Sequence, residues 1–257
     1  MEARRALVRR PSRRLAEGLV THVERQPVDV DLALRQWQGY VEALHEAGWE
    51  TIEVPPVEDC PDGVFVEDTV VMYGDRAVVT RPGADERKPE TPAVAGLLSA
   101  LGYDVVSIEA PGTLDGGDVL KHDGTVWVGL GGRTNQAGID QLASYLEPAG
   151  ARVVAVPLEK VLHLKSAVTA LPDGSVIGYE PLVDDPGVWP TFLAVPEESG
   201  SHVVLLGGNR VLMSDDAPRT AELLAARGLD VVTVDITEFI KLEGCVTCLS
   251  VRLRHTP

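Results

Sequence analysis

A pattern of strand, strand, helix and strand returns about every 50 residues along this chain. A clear copy spans 62–108, with its first strand predicted at 62–72 and its helical segment at Pro92–Leu101. Further copies cover 118–156, 203–234 and, with a helix made doubtful by prolines, the segment from His163. A repeat of this length indicates units that bury their apolar faces against one another, so it constrains the fold more than any other feature.

The fifth copy is divided between the two ends of the chain. The alternating run Val246–Leu253 predicts its first strand, after which the sequence ends. The missing strand, helix and strand fit Ala6–Val8, Asp31–Glu46 and Thr51–Val54 near the N-terminus. We therefore expect an α/β protein of five ββαβ units, 1–257 forming one domain closed into a ring by its termini. The alternative is an open α/β sheet of irregular strand order.

Size and composition favour a globular protein that needs no disulfide framework. The chain has 257 residues, of which 44% are hydrophobic and three are cysteines. It contains no apolar run long enough for a membrane helix, and its first ten residues lack the apolar core of a signal peptide. We expect a cytoplasmic protein with no membrane partner, present as a monomer or a homodimer.

The negative net charge of the chain argues against polyanionic binding partners. The formal net charge is −16, whereas nucleic acids and anionic membranes are bound by clusters of lysine and arginine. We therefore expect no nucleic-acid partner. An acidic protein suits a cationic small-molecule substrate, although the same charge also serves solubility alone.

Equivalent positions of the repeat carry groups fit for catalysis. In a closed array, the entry to the first strand of every unit faces one shared centre. These entries contain carboxylates at 62–68 and 115–118, an imidazole at His163 and a thiol at Cys248. The entry of the fourth unit, Gly207-Gly-Asn209 or the preceding Gly200-Ser-His202, is interpreted as structural. The repeat thus predicts that residues distant in sequence converge on one site.

Cys245 and Cys248 form a Cys-x-x-Cys motif with three interpretations. A redox pair needs a helix that starts after the first cysteine, whereas a strand is predicted here. A zinc site needs two more ligands of comparable spacing, and Cys60 stands alone. A Cys–His nucleophilic site needs only proximity in space, and a buried structural cysteine remains the simplest alternative.

Six motifs in the same order along the chain resemble those of dimethylarginine dimethylaminohydrolase, within the guanidino-group-modifying superfamily. They are Phe65-Val-Glu-Asp68, Thr80-Arg-Pro-Gly-Ala84 with Arg87, Thr113-Leu-Asp-Gly-Gly-Asp118, Arg133-Thr-Asn135, Leu162-His-Leu-Lys-Ser166 and Gly244-x-x-Thr-Cys-x-Ser250. The resemblance covers essentially the whole chain and implies a five-bladed α/β propeller with pseudo-fivefold symmetry.

The resemblance also implies hydrolysis of asymmetric dimethylarginine or monomethylarginine to citrulline and a methylamine, with no metal or cofactor. It makes Cys248 the nucleophile, His163 the general acid and base, and Cys245 a bystander. The remaining implied roles are an acidic catalytic group at Asp115, a guanidinium-binding carboxylate at Asp68, carboxylate-binding arginines at Arg87 and Arg133, amino-group contacts at Asp62, Leu19 and Leu242, and a mobile lid at 14–20.

Three other functions remain open at this point. An arginine deiminase-like enzyme would use the same site on unmethylated arginine. A non-catalytic binder of cationic amino acids would need the acidic centre but neither Cys248 nor His163. A thiol-disulfide protein would use Cys245 and Cys248 as a reversible redox couple.

Overall fold

The computed structural model describes residues 4–253, which form five separate three-stranded sheets. The strands are β1 (Arg4–Val8), β2 (Trp49–Glu53), β3 (Val70–Tyr73), β4 (Arg76–Val79), β5 (Asp104–Ser107), β6 (Val119–His122), β7 (Thr125–Leu130), β8 (Arg152–Pro157), β9 (Val168–Ala170), β10 (Val176–Gly178), β11 (Phe192–Ala194), β12 (Val204–Gly207), β13 (Arg210–Ser214), β14 (Asp230–Val234) and β15 (Val251–Leu253). The α-helices are α1 (Val30–Glu46), α2 (Thr91–Ala100), α3 (Gln136–Leu146), α4 (Leu164–Ala167), α5 (Pro218–Ala226) and α6 (Thr237–Ile240).

Every sheet has the same connectivity. In the first complete unit, β3 pairs antiparallel with β4, and β4 pairs parallel with β5. The order recurs in β6-β7-β8, β9-β10-β11 and β12-β13-β14. A parallel pair needs a crossover connection, and α2, α3 and α5 provide it in three of these units. The predicted ββαβ repeat is therefore confirmed.

The two ends of the chain build the fifth sheet together. Strand β1 pairs antiparallel with β15, in a register that sets Arg5 opposite Leu253 and Leu7 opposite Val251. On its other edge β1 pairs parallel with β2, and α1 makes the crossover. The two ends of the chain pair as predicted, and the open-sheet alternative is wrong because no described sheet exceeds three strands.

Local chemistry sets the ends of the helices. The Asp29 side chain accepts a hydrogen bond from the Leu32 amide at 3.0 Å and caps α1, while Asn135 caps α3 through the Gly138 amide. Gly48 follows α1 with a φ of 81°, a left-handed conformation that glycine adopts without strain. Between β10 and β11, where prolines made a helix doubtful, the chain forms two 3₁₀ turns, Glu180–Leu182 and Pro186–Val188.

Two predicted strands are wrong in part. Residues 62–69 form 3₁₀ turns, Pro61–Val64 and Val66–Thr69, before β3 begins at Val70. Residues 246–249 form a turn, and only Val251–Leu253 is a strand. Both segments are buried, so their apolar residues reflect contact with protein on all sides rather than the pleat of a strand.

The hydrophobic core extends across the closure of the ring. Tyr40 and Leu44 of α1 pack in one cluster with Phe239 and Leu249 from the C-terminal part of the chain. Leu7 of β1 packs with residues of α2 and β15 in a second cluster. The terminal segments are thus part of the core. None of the helices described is both long and apolar enough to cross a membrane.

We expect Leu7→Ala to lower the free energy of unfolding by about 2–5 kcal/mol, because it opens a cavity where the termini meet. Urea denaturation followed by circular dichroism measures the change. Val23→Ala is the control: Val23 is 44% exposed, so its substitution should change stability by less than about 0.5 kcal/mol. Equal effects of the two substitutions would contradict a core role for the N-terminal strand.

Candidate active site

Short turns at the entries to the repeat units carry the predicted catalytic groups. Asp68 lies in the 3₁₀ turn before β3, and Asp115 immediately precedes the turn Gly116–Asp118 before β6. His163 precedes α4, and Cys248 lies in the turn before β15. The structure brings these four residues together at one place, although 180 positions separate the first from the last.

His163 lies between two buried carboxylates. Its Nε2 is 2.9 Å from Asp115 Oδ2, and its Nδ1 is 3.8 Å from Asp68 Oδ1. Asp68 Oδ1 also accepts a hydrogen bond from the Gly117 amide, and Asp115 Oδ1 accepts one from the Gly83 amide. The imidazole is therefore fixed in orientation and faces negative charge through both nitrogens.

This arrangement raises the pKa of His163 and lowers the pKa of Asp68. Burial alone would lower the pKa of His163, but the charge of Asp68 and the hydrogen bond to Asp115 raise it to about 9. Burial would raise the pKa of Asp68, yet His163 and Arg87 lower it to about 2. At neutral pH the site thus holds an imidazolium that can donate a proton.

Gly116 and Gly117 allow Asp68 and His163 to lie close to the backbone of the turn that follows Asp115. A β-carbon on Gly117 would lie 2.7 Å from both Asp68 Oδ1 and His163 Nδ1, and one on Gly116 would lie 2.0 Å from the Glu67 carbonyl oxygen. These two glycines therefore let neighbouring repeat units pack closely against each other.

Eight of the nine predicted site residues line one small cavity, whose volume is about 20 Å³. They are Cys248, His163, Asp68, Asp62, Arg87, Arg133, Leu19 and Leu242. Asp115, the ninth, is fully buried and contacts His163 rather than the cavity. A cavity of this volume holds roughly one water molecule, so a larger ligand requires movement of the residues that cover it.

The loop predicted as a lid covers this cavity. The Leu19 amide donates to both oxygens of Asp62, at 3.2 and 3.0 Å. Further along, the amides of Thr21 and His22 donate to the Glu243 carboxylate, at 2.8 and 2.5 Å. Arg14 faces away and pairs with exposed Glu17, so it does not hold the loop to the cavity. Four backbone hydrogen bonds to two carboxylates keep the loop closed.

The two predicted binding arginines differ in their surroundings. Arg87 is buried and forms ion pairs with Asp68 at 2.5 Å and with Glu90 at 2.8 Å, while its Nη2 also contacts two backbone carbonyls. Arg133 Nη1 is buried without a hydrogen-bond partner, and Asp115 lies 3.7 Å away. Arg133 is therefore the arginine whose hydrogen-bonding capacity remains open to an anionic ligand.

Cys248 shares a hydrogen bond with Cys245, whose Sγ lies 3.3 Å from its own. Through this contact the Cys248 thiol lowers the pKa of Cys245. The same hydrogen bond, with burial and the carboxylates of Glu67 and Asp68, raises the pKa of Cys248. Cys248 thus keeps its proton until a positive charge enters the cavity.

Several residues outside the predicted set hold the site in place. Glu90 forms a bidentate ion pair with Arg87, and buried Arg9 donates to the Glu90 carbonyl oxygen. The Thr134 hydroxyl donates to Asp118 and accepts from the Asp115 amide, while Asp118 also accepts from the Leu164 amide beside His163. Only the position of Thr134 next to Arg133 signalled such a role; Glu90 resembles any surface glutamate in the sequence.

Asp68, Asp115 and His163 also form a group in which ligand atoms lie within 4.8 Å of one another. A histidine binds a metal through an unprotonated nitrogen, whereas the raised pKa of His163 keeps both of its nitrogens protonated near neutral pH. The group therefore suits proton transfer better than metal coordination.

The amino-acid sequence of this chain is similar to those of several known proteins. The arginine deiminase family profile matches residues 49–194. The chain is 65% identical over 255 residues to the N(G),N(G)-dimethylarginine dimethylaminohydrolase of Streptomyces coelicolor, covering 99% of each chain. It is 35% identical over 249 residues to the protein of that name from Pseudomonas aeruginosa, covering 96% and 98% of the two chains.

Solved structures of the same kind share the whole fold. A dimethylarginine dimethylaminohydrolase adduct with S-methyl-L-thiocitrulline superposes with a TM-score of 0.91 at 33% identity. A mutant of the Pseudomonas aeruginosa protein in complex with citrulline gives the same values. In both cases the alignment covers 98% of this chain and 100% of the other.

The raised pKa of His163 predicts a loss of stability at alkaline pH. Because the folded pKa of about 9 exceeds the unfolded value of 6.5, the contribution is full below pH 6.5 and disappears as pH rises through 9. We expect the stability difference between wild type and His163→Gln to fall by about 3 kcal/mol between pH 6 and pH 10. Urea denaturation at each pH measures it, with His45→Gln, on the surface of α1, as the control. A difference independent of pH would contradict this charge network.

Proposed function

Because this chain belongs to the dimethylarginine dimethylaminohydrolase family, we propose that it hydrolyses asymmetric dimethylarginine or monomethylarginine to citrulline and dimethylamine or methylamine. The observation that carries the proposal is the one cavity that Cys248, His163 and Asp68 line together. These groups supply a nucleophile, a proton donor and a carboxylate for a guanidinium, which is the set that this reaction needs.

Substrate binding uses the acidic centre. Asp68 accepts hydrogen bonds from Arg87 and Gly117, and a carboxylate has about four lone-pair positions, so two remain for the substrate guanidinium. Arg133, with its unpartnered Nη1, binds the α-carboxylate, and Asp62 with the lid at Leu19 and with Leu242 contacts the α-amino group. Arg87 mainly holds Asp68 in place.

The bound cation activates the nucleophile. Cys248 is protonated in the empty site, and the positive charge of the guanidinium favours its thiolate. The thiolate attacks the guanidinium carbon to give a tetrahedral adduct. His163 then donates its proton to the departing dimethylamine, which leaves a thiouronium bound to Cys248.

Hydrolysis of this intermediate reverses the role of the imidazole. Neutral His163 takes a proton from a water molecule that attacks the thiouronium carbon, and the Cys248 thiolate leaves as citrulline forms. Asp115 keeps the imidazole in one orientation during both steps and stabilises its protonated form. All of these groups come from one chain, which supports a protein active as a monomer or a homodimer of single-domain subunits. The need for a reduced thiol supports a cytoplasmic location.

An arginine deiminase-like activity is the second candidate, because the profile of that family matches residues 49–194. The two substrates differ only in methylation of the leaving nitrogen, so the same groups could act on either. A binder of cationic amino acids would leave His163 and Cys248 without a role.

Citrulline release from asymmetric dimethylarginine and from arginine, measured in parallel, tests the proposal. We expect activity on the methylated substrate, no detectable turnover by Cys248→Ser, and a loss of about 10²–10⁴-fold in kcat for His163→Gln. Cys60→Ser is the matched control and should retain activity, since Cys60 lies outside the cavity. Turnover of arginine alone would favour the deiminase, and turnover by Cys248→Ser would refute the nucleophile.

Replacing Arg133 tests how the α-carboxylate is bound. We expect Arg133→Gln to raise KM about 10–100-fold with a small change in kcat, because a charge-assisted hydrogen bond contributes about 1.5–3 kcal/mol. Arg227→Gln, which removes a surface ion pair with Asp173, should leave KM unchanged. A loss in kcat alone would instead assign Arg133 to the chemical step.

A further inference from the structure

The proposed mechanism gives no role to Cys245, although this residue is the second member of the Cys-x-x-Cys motif. Its Sγ lies 3.3 Å from the Cys248 Sγ, and both residues are buried free cysteines that form no disulfide. A disulfide has a sulfur–sulfur distance of about 2.05 Å, so the two atoms need to approach by about 1.3 Å. Rotation of the two side chains can supply a movement of that size.

The backbone between the two cysteines suits such a bond. A strand here would direct Cys245 and Cys248 to opposite faces, since side chains alternate along a strand. The structure instead has a turn, in which the Cys248 amide donates to the Cys245 carbonyl oxygen at 3.1 Å. A turn of this kind holds its ends within about 7 Å at the α-carbons, close to the range that disulfides span.

The two sulfurs face different cavities. Cys248 lines the small site cavity with His163, whereas Cys245 lines a neighbouring cavity of about 140 Å³. That second cavity is bounded by apolar side chains such as Ile236, by His202, and by His22, two residues after the end of the lid. A small oxidant can therefore meet one thiol while a small reductant meets the other.

The environment of the pair also favours oxidation chemistry. The hydrogen bond between the sulfurs, which are 3.3 Å apart, lowers the pKa of Cys245 and so favours its thiolate, the form that reacts with peroxides. Thr247 Oγ1, 3.2 Å from Cys245 Sγ, is a further hydrogen-bond partner of that thiol. Cys60 differs, because its Sγ donates a hydrogen bond to the Glu86 carbonyl oxygen, at 3.8 Å, and is hydrogen-bonded to no other thiol among residues 4–253.

We propose that Cys245 and Cys248 form an oxidative modification site, in which a hydroperoxide converts the pair into a reversible disulfide. A thiolate of the pair attacks one oxygen of the peroxide, so the oxygen–oxygen bond breaks and a sulfenic acid and hydroxide form. The second thiolate then attacks the sulfenyl sulfur and displaces hydroxide. Two thiols lose two electrons in total, and one hydrogen peroxide becomes two waters.

The disulfide between Cys245 and Cys248 is reduced by thiol–disulfide exchange. A small thiol that enters the larger cavity attacks Cys245 Sγ and releases Cys248 as a thiolate, and a second thiol frees Cys245. Cys245 thus protects the nucleophile from the irreversible sulfinic and sulfonic stages. The consequence for activity rests on the proposed function of Cys248, whereas formation of the disulfide does not.

The test treats substrate-free protein with hydrogen peroxide, removes the oxidant and divides the sample for mass spectrometry and citrulline assay. We expect wild type to lose the mass of two hydrogens, to yield a Cys245–Cys248 peptide under non-reducing digestion, and to lose at least about tenfold in activity. Dithiothreitol should restore both mass and activity. Cys60→Ser should behave as wild type.

Cys245→Ser distinguishes the proposal from simple oxidation of the nucleophile. This variant should be active before treatment, form a sulfenic acid that dimedone traps on Cys248, and progress to oxygenated forms that dithiothreitol does not reverse. Equal recovery of Cys245→Ser and wild type, or inactivation without the linked peptide, would overturn the inference. A linked peptide in a protein that never releases citrulline would refute the proposed function alone.

Discussion

Pairing of the first described strand with the last is the constraint on which the rest of the structure depends. Strand β1 hydrogen-bonds to β15 on one edge and to β2 on the other, so the final unit exists only when both ends of the chain meet. Cys248 lies three residues before β15, and its carbonyl oxygen accepts a hydrogen bond from the Glu67 amide of the next unit. Pairing of the two ends therefore places the nucleophile beside the unit that carries Asp68.

The site contains several buried charged side chains, which must be paired with opposite charges or hydrogen-bond donors for the site to be stable. Arg87, Asp68, Glu90, Asp115 and His163 all lie out of contact with bulk water, where an unpaired charge would be costly. Each is paired with another or with a backbone amide. Their mutual pairing keeps the imidazole protonated and the carboxylate ionised, so the same contacts serve folding and proton transfer.

The thiol pair shows how one local conformation changes the chemistry available to a motif. An alternating sequence from Val246 predicted a strand, which argued against a redox pair. Burial on all sides allowed a turn instead, and the turn brings the two sulfurs of Cys245 and Cys248 to 3.3 Å. A bystander in the sequence is thus in direct contact with the nucleophile in the fold.

The sequence by itself determined the repeat, the ring closed by both termini and the identity of the residues that meet at its centre. Those features follow from the periodicity of apolar residues and from equivalent positions in successive units, both of which are local properties. Eight of the predicted site residues lie around one cavity. The repeat predicted the convergence of His163, Cys248 and the carboxylates at 62–68, whereas Leu19 and Leu242 were implied only by the resemblance to a known family.

Only the tertiary structure decided which of those residues contact one another and which remain available to a ligand. It placed Asp115 behind His163, engaged Arg87 with Glu90, and left Arg133 Nη1 without a partner. It also formed turns over the first part of two predicted strands. Such outcomes depend on distances between side chains from different units, and pKa values depend on the same distances and on burial. No periodicity encodes them, because they arise only when the ring is closed and water is excluded from its centre.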